Sequence, residues 1–241
     1  MDPVARARSA TVAGWRADVR SRPAGDAAQL RDLAVFTTGI PVGHWNGAHV
    51  TGPDPDLAGA AAWFAERGMP WGVLVPEHDR IDPGTPLITT QRLMLRDLDE
   101  LPDLPDLELW WDDGDGASLV QQEAFEDELA RDFVLPKLRN DACALVTAYD
   151  EGAPVSTATL VVAEGVAGVY GVGTLTSYRG RGLGRAVTLA VLHEAVRRGC
   201  DLAFLNPSDL GYAVYRGLGF EDAPGWRVHM SISPLPGSSK G

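Results

Sequence analysis

Two cysteines in 241 residues, Cys143 and Cys200, are too few for a disulfide framework, and their spacing suits no zinc site. Positive charge is scarce too: 21 Lys and Arg stand against 33 Asp and Glu, a formal net charge of −12. Neutralising nucleic-acid phosphates needs a basic surface, so this balance argues against nucleic acid as a partner. No apolar run approaches the roughly 20 residues that a membrane-spanning helix needs, and no membrane association is expected. Residues 1–23 carry arginines but no apolar stretch of the secretory kind, which makes a cytoplasmic protein the expectation. Two phosphate-binding signatures are missing: there is no GxxxxGK[ST], and the one glycine-rich turn reads GxGxG, not GxGxxG. No cluster of His, Cys and carboxylates has ligand spacing, so no metal is expected.

What the chain does have is 45% hydrophobic residues and a mean hydropathy of −0.08, the profile of a globular protein with a packed core. Its most informative stretch is 169–191. Residues 168–175 are short, apolar and Val-rich, as a buried strand is. Gly180, Gly182 and Gly184 then alternate with Arg179, Arg181 and Arg185. From Leu183 onward Val187, Ala190, Val191 and Ala195 recur at helical spacing, so a helix opens at the glycines. The first turn of a helix presents unpaired N–H groups and the positive end of its dipole. Glycine lets backbone approach a ligand with no Cβ in the way. Such a site suits a pyrophosphate flanked by arginines.

Arg179-x-x-Gly182-x-Gly184, with strand before and helix after, resembles the acyl-CoA pyrophosphate loop of the GNAT N-acetyltransferases. A second stretch carries the likeness further. Leu202-Ala-Phe-Leu-Asn206 reads as a strand, and 208–218 as a helix with Ser208 as N-cap. Tyr212-Ala-Val-Tyr215-Arg-Gly-Leu-Gly219-Phe220 is similar to the family's Tyr-x-x-x-Gly-Phe ending, with Gly219 as a helix C-cap. The resemblance covers about 105–232. It implies an acyltransferase using acetyl-CoA as acyl donor toward the amine of a small molecule or peptide. Its implied donor-binding residues are Gly173, Thr174, Leu175, Thr176, Arg179, Gly180, Arg181, Gly182, Leu183, Gly184, Arg185 and Asn206. Thr174 and Thr176 stand where the family more often has an aliphatic residue and a proline, a departure softened because backbone does the pairing. Tyr215 takes the family's general-acid position, and Tyr212 is the fallback. A core aromatic anchoring the last helix is the plainer reading of Tyr215, and a turn cap that of Asn206. Transfer of a longer acyl group, or a non-catalytic acyl-CoA-binding module, are the alternatives.

The fold class that follows is α/β (α+β): a mixed, mostly antiparallel sheet flanked by helices. Along the chain, helices are expected at 4–20, 26–33 and 54–67, and strands at 34–39, 47–51, 71–75 and 87–95. This N-terminal region, 1–100, has no glycine–arginine loop, yet its order is similar to a degenerate second acetyltransferase unit, as in tandem members of the family. The acidic, proline-broken 97–106 reads as a linker. The catalytic domain is placed at 101–235, with a flexible tail at 236–241. In it, a strand at 107–111 and helical sequence at 116–138 precede strands at 142–149, 155–163 and 166–175, with hairpin turns at 150–154 and 164–165. Fourteen carboxylates crowd 97–132 against Arg131 alone. They read as a solvated face or as an electrostatic funnel for a cationic amine. Glu123, Glu126 and Glu128 lie in this region, and none is distinguished as a general base. His193 and His229 read as structural.

Overall fold

The computed structural model describes residues 2–230; the tail expected at 236–241 lies outside them. In chain order the elements are α1 (Pro3–Arg20), β1 (Asp26–Leu30), β2 (Leu33–Thr37), β3 (Asn46–Val50), α2 (Leu57–Arg67), β4 (Gly72–Pro76) and β5 (Leu87–Asp97). They continue as β6 (Leu109–Trp111), α3 (Gly114–Phe125), α4 (Ala130–Val134), β7 (Cys143–Asp150), β8 (Ala153–Ala163) and β9 (Val166–Thr174). The last are α5 (Leu183–Arg197), β10 (Leu202–Leu205), α6 (Tyr212–Gly217) and β11 (Glu221–Met230). Two compact units result. Among the described residues, the larger joins 2–18 with 93–223; the smaller joins 19–92 with 224–230.

In the larger unit the strand order is β6-β7-β8-β9-β10-β5, and β5 contributes its second half. All pairs are antiparallel except β9 with β10. The two meander turns form as the sequence predicts. Glu151 and Gly152 both hold positive φ, as do Glu164 and Gly165, which is the backbone that a two-residue hairpin turn requires. Helix α5 buries Val187, Leu189, Val191, Leu192 and Ala195 completely. Each such Leu or Val contributes roughly 1.5–3 kcal/mol relative to exposure. Helix α1 belongs to this unit, where Asp18 and Lys137, both buried, pair at 2.9 Å. The strand beside β10 on its far edge is β5, not the closing strand of the chain.

In the smaller unit the order is β1-β2-β3-β4-β11, with β3 and β4 parallel and the other pairs antiparallel. Residues 26–33 are not a helix. Asp26–Leu30 pairs with β2 from Asp26↔Thr37 to Leu30↔Leu33, and Ala28 and Leu30 pack on the unit's core. Tertiary pairing overrides the helix preference of an Ala/Gln/Leu segment. Helix α2 lies on a core of Val35, Ala48, Phe64, Trp71 and Val73, in which Phe64 and Trp71 stack at 4.8 Å.

Candidate active site

The parallel pairing of β9 with β10 is short. Leu202–Leu205 match Val166–Val169, and there it stops. Strand β9 runs on to Thr174, held on its other edge by β8 through Thr157↔Gly173 and Ser156↔Thr174. Residues 170–174 therefore have no strand partner on the β10 side among the described residues. A strand edge of this kind offers N–H and C=O groups to an extended ligand. The register also slips here. Thr159 faces Tyr170 and Thr157 faces Gly173, so Gly171 and Val172 together oppose Ala158 alone. That is a bulge in β9, and Gly171 adopts φ +57°, which a glycine takes without strain.

The chain then turns through Thr176–Tyr178 into the glycine–arginine loop. Arg179 Nε donates to Thr174 O at 3.3 Å, tying the loop to the end of β9. Gly180 and Gly182 hold φ +78° and +80°, and Gly182 is the N-cap of α5. No side chain caps this helix. The other helices of eight residues or more each have an aspartate there. Asp2 accepts from Ala5 N–H, Asp56 from Gly59 N–H and Asp113 from Gly116 N–H. The N–H groups of residues 181–185 bond to no described residue. Arg181 lies 4.7 Å over the Tyr178 ring and 3.7 Å from Asp150, and Arg179 and Arg185 are exposed. An anion-receptive helix end thus adjoins a free strand edge.

Tyr215 sits on α6 with 8% of its surface exposed. It shares an apolar cluster with Val169 of β9, Leu183 of α5 and Leu205 of β10, so the sheet edge, the loop helix and the tyrosine are packed together. Its hydroxyl bonds to no described residue, and burial pushes its pKa up to about 12. Tyr212 differs: its hydroxyl donates to Asp222 at 2.6 Å. Helix α6 begins at Tyr212, four residues later than Ser208. The Ser208 hydroxyl and carbonyl accept from the N–H groups of Gly211 and Tyr212, so Ser208 caps a preliminary turn. Gly219 ends the helix with φ +83°; Phe220 N–H reaches Tyr215 O and Gly219 N–H reaches Arg216 O. This pair of bonds locks the helix end and packs Phe220 against Tyr215.

Asn206 follows directly on β10 and is half-buried. Thr174 and Leu175 are half-buried and Thr176 is exposed. The structure thus brings 173–176 and 179–185 into one continuous strand–loop–helix, with Tyr215 in the same cluster. Glu123, Glu126 and Glu128 are exposed around the C-terminal end of α3. His193 contacts Pro102 O and His229 contacts Thr85 O, each at 2.9 Å, so both are engaged by backbone. Sequence reasoning missed the bulge at Gly171 and the packing of α3 over it. Only the two glycines, Gly171 and Gly173, within a Val-rich strand hint at either.

An open, mostly antiparallel sheet flanked by helices, with a parallel pair that parts beside an uncapped glycine-led helix, is the architecture of GNAT acetyltransferase structures. Residues 104–220 match the acetyltransferase (GNAT) family model, and that segment is a GNAT acetyltransferase domain. Members of this family use acetyl-CoA as a substrate. Among solved structures, a GCN5-related N-acetyltransferase from Kribbella flavida is similar over 97% of this chain and 97% of its own, with TM-score 0.73 and 23% identity. A GCN5-related N-acetyltransferase from Sphaerobacter thermophilus covers 84% of this chain and 78% of its own, with TM-score 0.59 and 16% identity. A tandem GNAT protein from the clavulanic acid biosynthesis pathway covers 97% and 96%, with TM-score 0.58 and 15% identity. No curated protein matches. Among the described residues no group of three or more His, Cys, Asp or Glu is placed to hold a metal, and no helix is long and apolar enough to cross a membrane.

Proposed function

We propose that this protein is an acetyl-CoA-dependent N-acetyltransferase acting on the amine of a small molecule or peptide, by direct attack in a ternary complex. The observation that carries this reading is the uncapped start of α5 beside the unpartnered edge of β9. The donor's pyrophosphate lies on the N–H groups of 181–185, with Arg179, Arg181 and Arg185 around it. Its pantetheine runs back along Gly173, Thr174, Leu175 and Thr176 as an added strand, and Asn206 borders it from the end of β10.

Tyr215 is the general acid. With its pKa near 12 the phenol is protonated throughout the neutral range. A thiol titrates near 8.5, so transfer from this phenol to a free thiolate is uphill. The tyrosine therefore protonates the sulfur only in concert with C–S cleavage and regains a proton from the ammonium of the tetrahedral adduct, so the products are an amide, a neutral thiol and an unchanged phenol. Positioning of two bound substrates supplies most of the remaining rate. The acidic C-terminal end of α3 favours an acceptor that arrives as a cation.

The unpaired Tyr215 hydroxyl and intact loop weigh against a silent binding module. We further infer that the catalytic domain, expected at 101–235, is the larger unit, which takes in α1 and the end of β5 and leaves the strand from 224 to the smaller unit, and that the smaller unit is a degenerate relative of it. The test is release of free thiol from acetyl-CoA across a panel of amines. Amine-dependent release is the expected result; release from no amine, despite donor binding, would favour the silent module.

A further inference from the structure

We infer that Gln121 recognises the acyl group of the donor, its side-chain amide donating to the thioester carbonyl at the closed end of the donor cleft. This rests on the acetyl-CoA reading above. Gln121 lies on α3 and is 6% exposed, whereas its neighbours Gln122 and Glu123 are exposed. Its amide makes no hydrogen bond to any described residue. Little of the residue is exposed, yet its amide atoms are not sealed from solvent, so a ligand group can reach them.

Its position says which partner. A Cβ built on Gly171 would lie 2.7 Å from Gln121 Nε2, 3.1 Å from Cδ and 3.2 Å from Oε1. The whole amide therefore rests on the backbone of the β9 bulge, where any larger residue would displace it. The bulge comes just after the last β9–β10 pair, at Val169↔Leu205. With the pyrophosphate on 181–185 and the pantetheine on 173–176, the thioester falls at the next residues along the strand, 171–172. Gln121 stands there.

The surroundings fit a short acyl chain with one polar atom. A Cβ on Gly173 would meet Ala124, Val120 and Phe125 at 3.1, 3.5 and 3.6 Å, so apolar side chains of α3 crowd the strand beside the amide. Thr159, which pairs in register with Tyr170, buries a hydroxyl that likewise has no partner. A carbonyl oxygen accepts hydrogen bonds only, and it gains negative charge as an amine attacks. A neutral amide N–H stabilises that charge without exchanging a proton.

The test is calorimetric titration of the unaltered protein, Gln121→Leu and Gln121→Ala with acetyl-CoA, butyryl-CoA and free CoA. The unaltered protein should bind acetyl-CoA more tightly than CoA. Gln121→Leu should lose about tenfold in acetyl-CoA affinity, the worth of one hydrogen bond, with CoA affinity held within about twofold. Gln121→Ala should shift preference toward butyryl-CoA, because truncation opens the end of the cleft. Thermal unfolding without ligand should leave Gln121→Leu about as stable as the unaltered chain, since the amide makes no hydrogen bond that leucine would lose. An unchanged ratio of acetyl-CoA to CoA affinity in both variants overturns the inference. Parallel loss of CoA and acetyl-CoA affinity overturns it too, and marks Gln121 as structural. So does an unchanged ratio with a raised acceptor KM, which assigns Gln121 to the acceptor. If the unaltered protein binds neither CoA nor acetyl-CoA, the donor reading itself falls and takes this one with it.

Discussion

The larger and smaller units follow the same succession, three antiparallel strands, a helix and a parallel strand, and they treat the start of that helix in opposite ways. In the larger unit α5 begins with glycines in positive φ, arginines on either side and no side-chain cap. In the smaller unit α2 follows Thr51-Gly-Pro-Asp-Pro-Asp56, and Asp56 itself accepts from Gly59 N–H at 2.9 Å. Asp32 accepts from Asp54 N–H nearby. The acid occupies the donors that the larger unit leaves open. The parallel strands differ in the same sense. Strand β9 runs five residues beyond its last pair with β10, whereas β3 runs one beyond His49↔Leu74. One succession of elements therefore leaves a strand edge and a helix end open in one unit and closes both in the other.

The widest separation should come from Tyr215→Phe. A positioned general acid is worth roughly 10²–10⁴ in rate, so kcat should fall by about that factor while acetyl-CoA affinity holds. An unchanged kcat would remove Tyr215 from the chemistry. Giving α5 the cap of α2, through Gly182→Asp, should weaken acetyl-CoA binding by about 10- to 100-fold. A carboxylate then competes for the N–H groups and repels phosphate, and residue 182 must keep φ near +80°. Unaltered affinity would misplace the pyrophosphate.

Acid should find the smaller unit first. His49 is buried against Phe36, and burial lowers its pKa from 6.5 to about 4. The folded unit thus favours the neutral ring. Its contribution is complete above pH 6.5 and is lost as pH falls toward 4, a total of about 3 kcal/mol. Melting followed across that window should show His49→Gln losing less stability than the unaltered chain; parallel curves would contradict the assignment. The smallest effect belongs to Asp56→Ala, which should cost about 1 kcal/mol of stability and leave acetyl-CoA affinity untouched.

Much of this contrast was legible in the sequence because glycine and charge at a helix start act locally. The run 179–185 needs its glycines for backbone reasons and its arginines for electrostatic ones, and both survive without knowledge of the fold. Hairpins at 151–152 and 164–165 were legible for the same reason. Features that depend on distant partners were not. Residues 26–33 have helical composition, and only the presence of β2 makes a strand of them. The bulge at Gly171 is a matter of register between β8 and β9, which neither strand encodes alone. Gln121 reads as one more polar residue on an amphipathic helix until α3 is laid on the bulge. That β5 flanks β10, and β11 flanks β4, is likewise a choice among equivalent apolar strands.

The central claim is that, among the described helices of eight residues or more, the start of α5 is the one left without a side-chain cap, and that the donor binds there. Calorimetric titration with acetyl-CoA tests it most directly through stoichiometry as well as affinity. One molecule bound per chain, with a micromolar Kd abolished or strongly weakened by Gly182→Asp and indifferent to Asp56→Ala, is the predicted result. Two molecules per chain, or none, would contradict it.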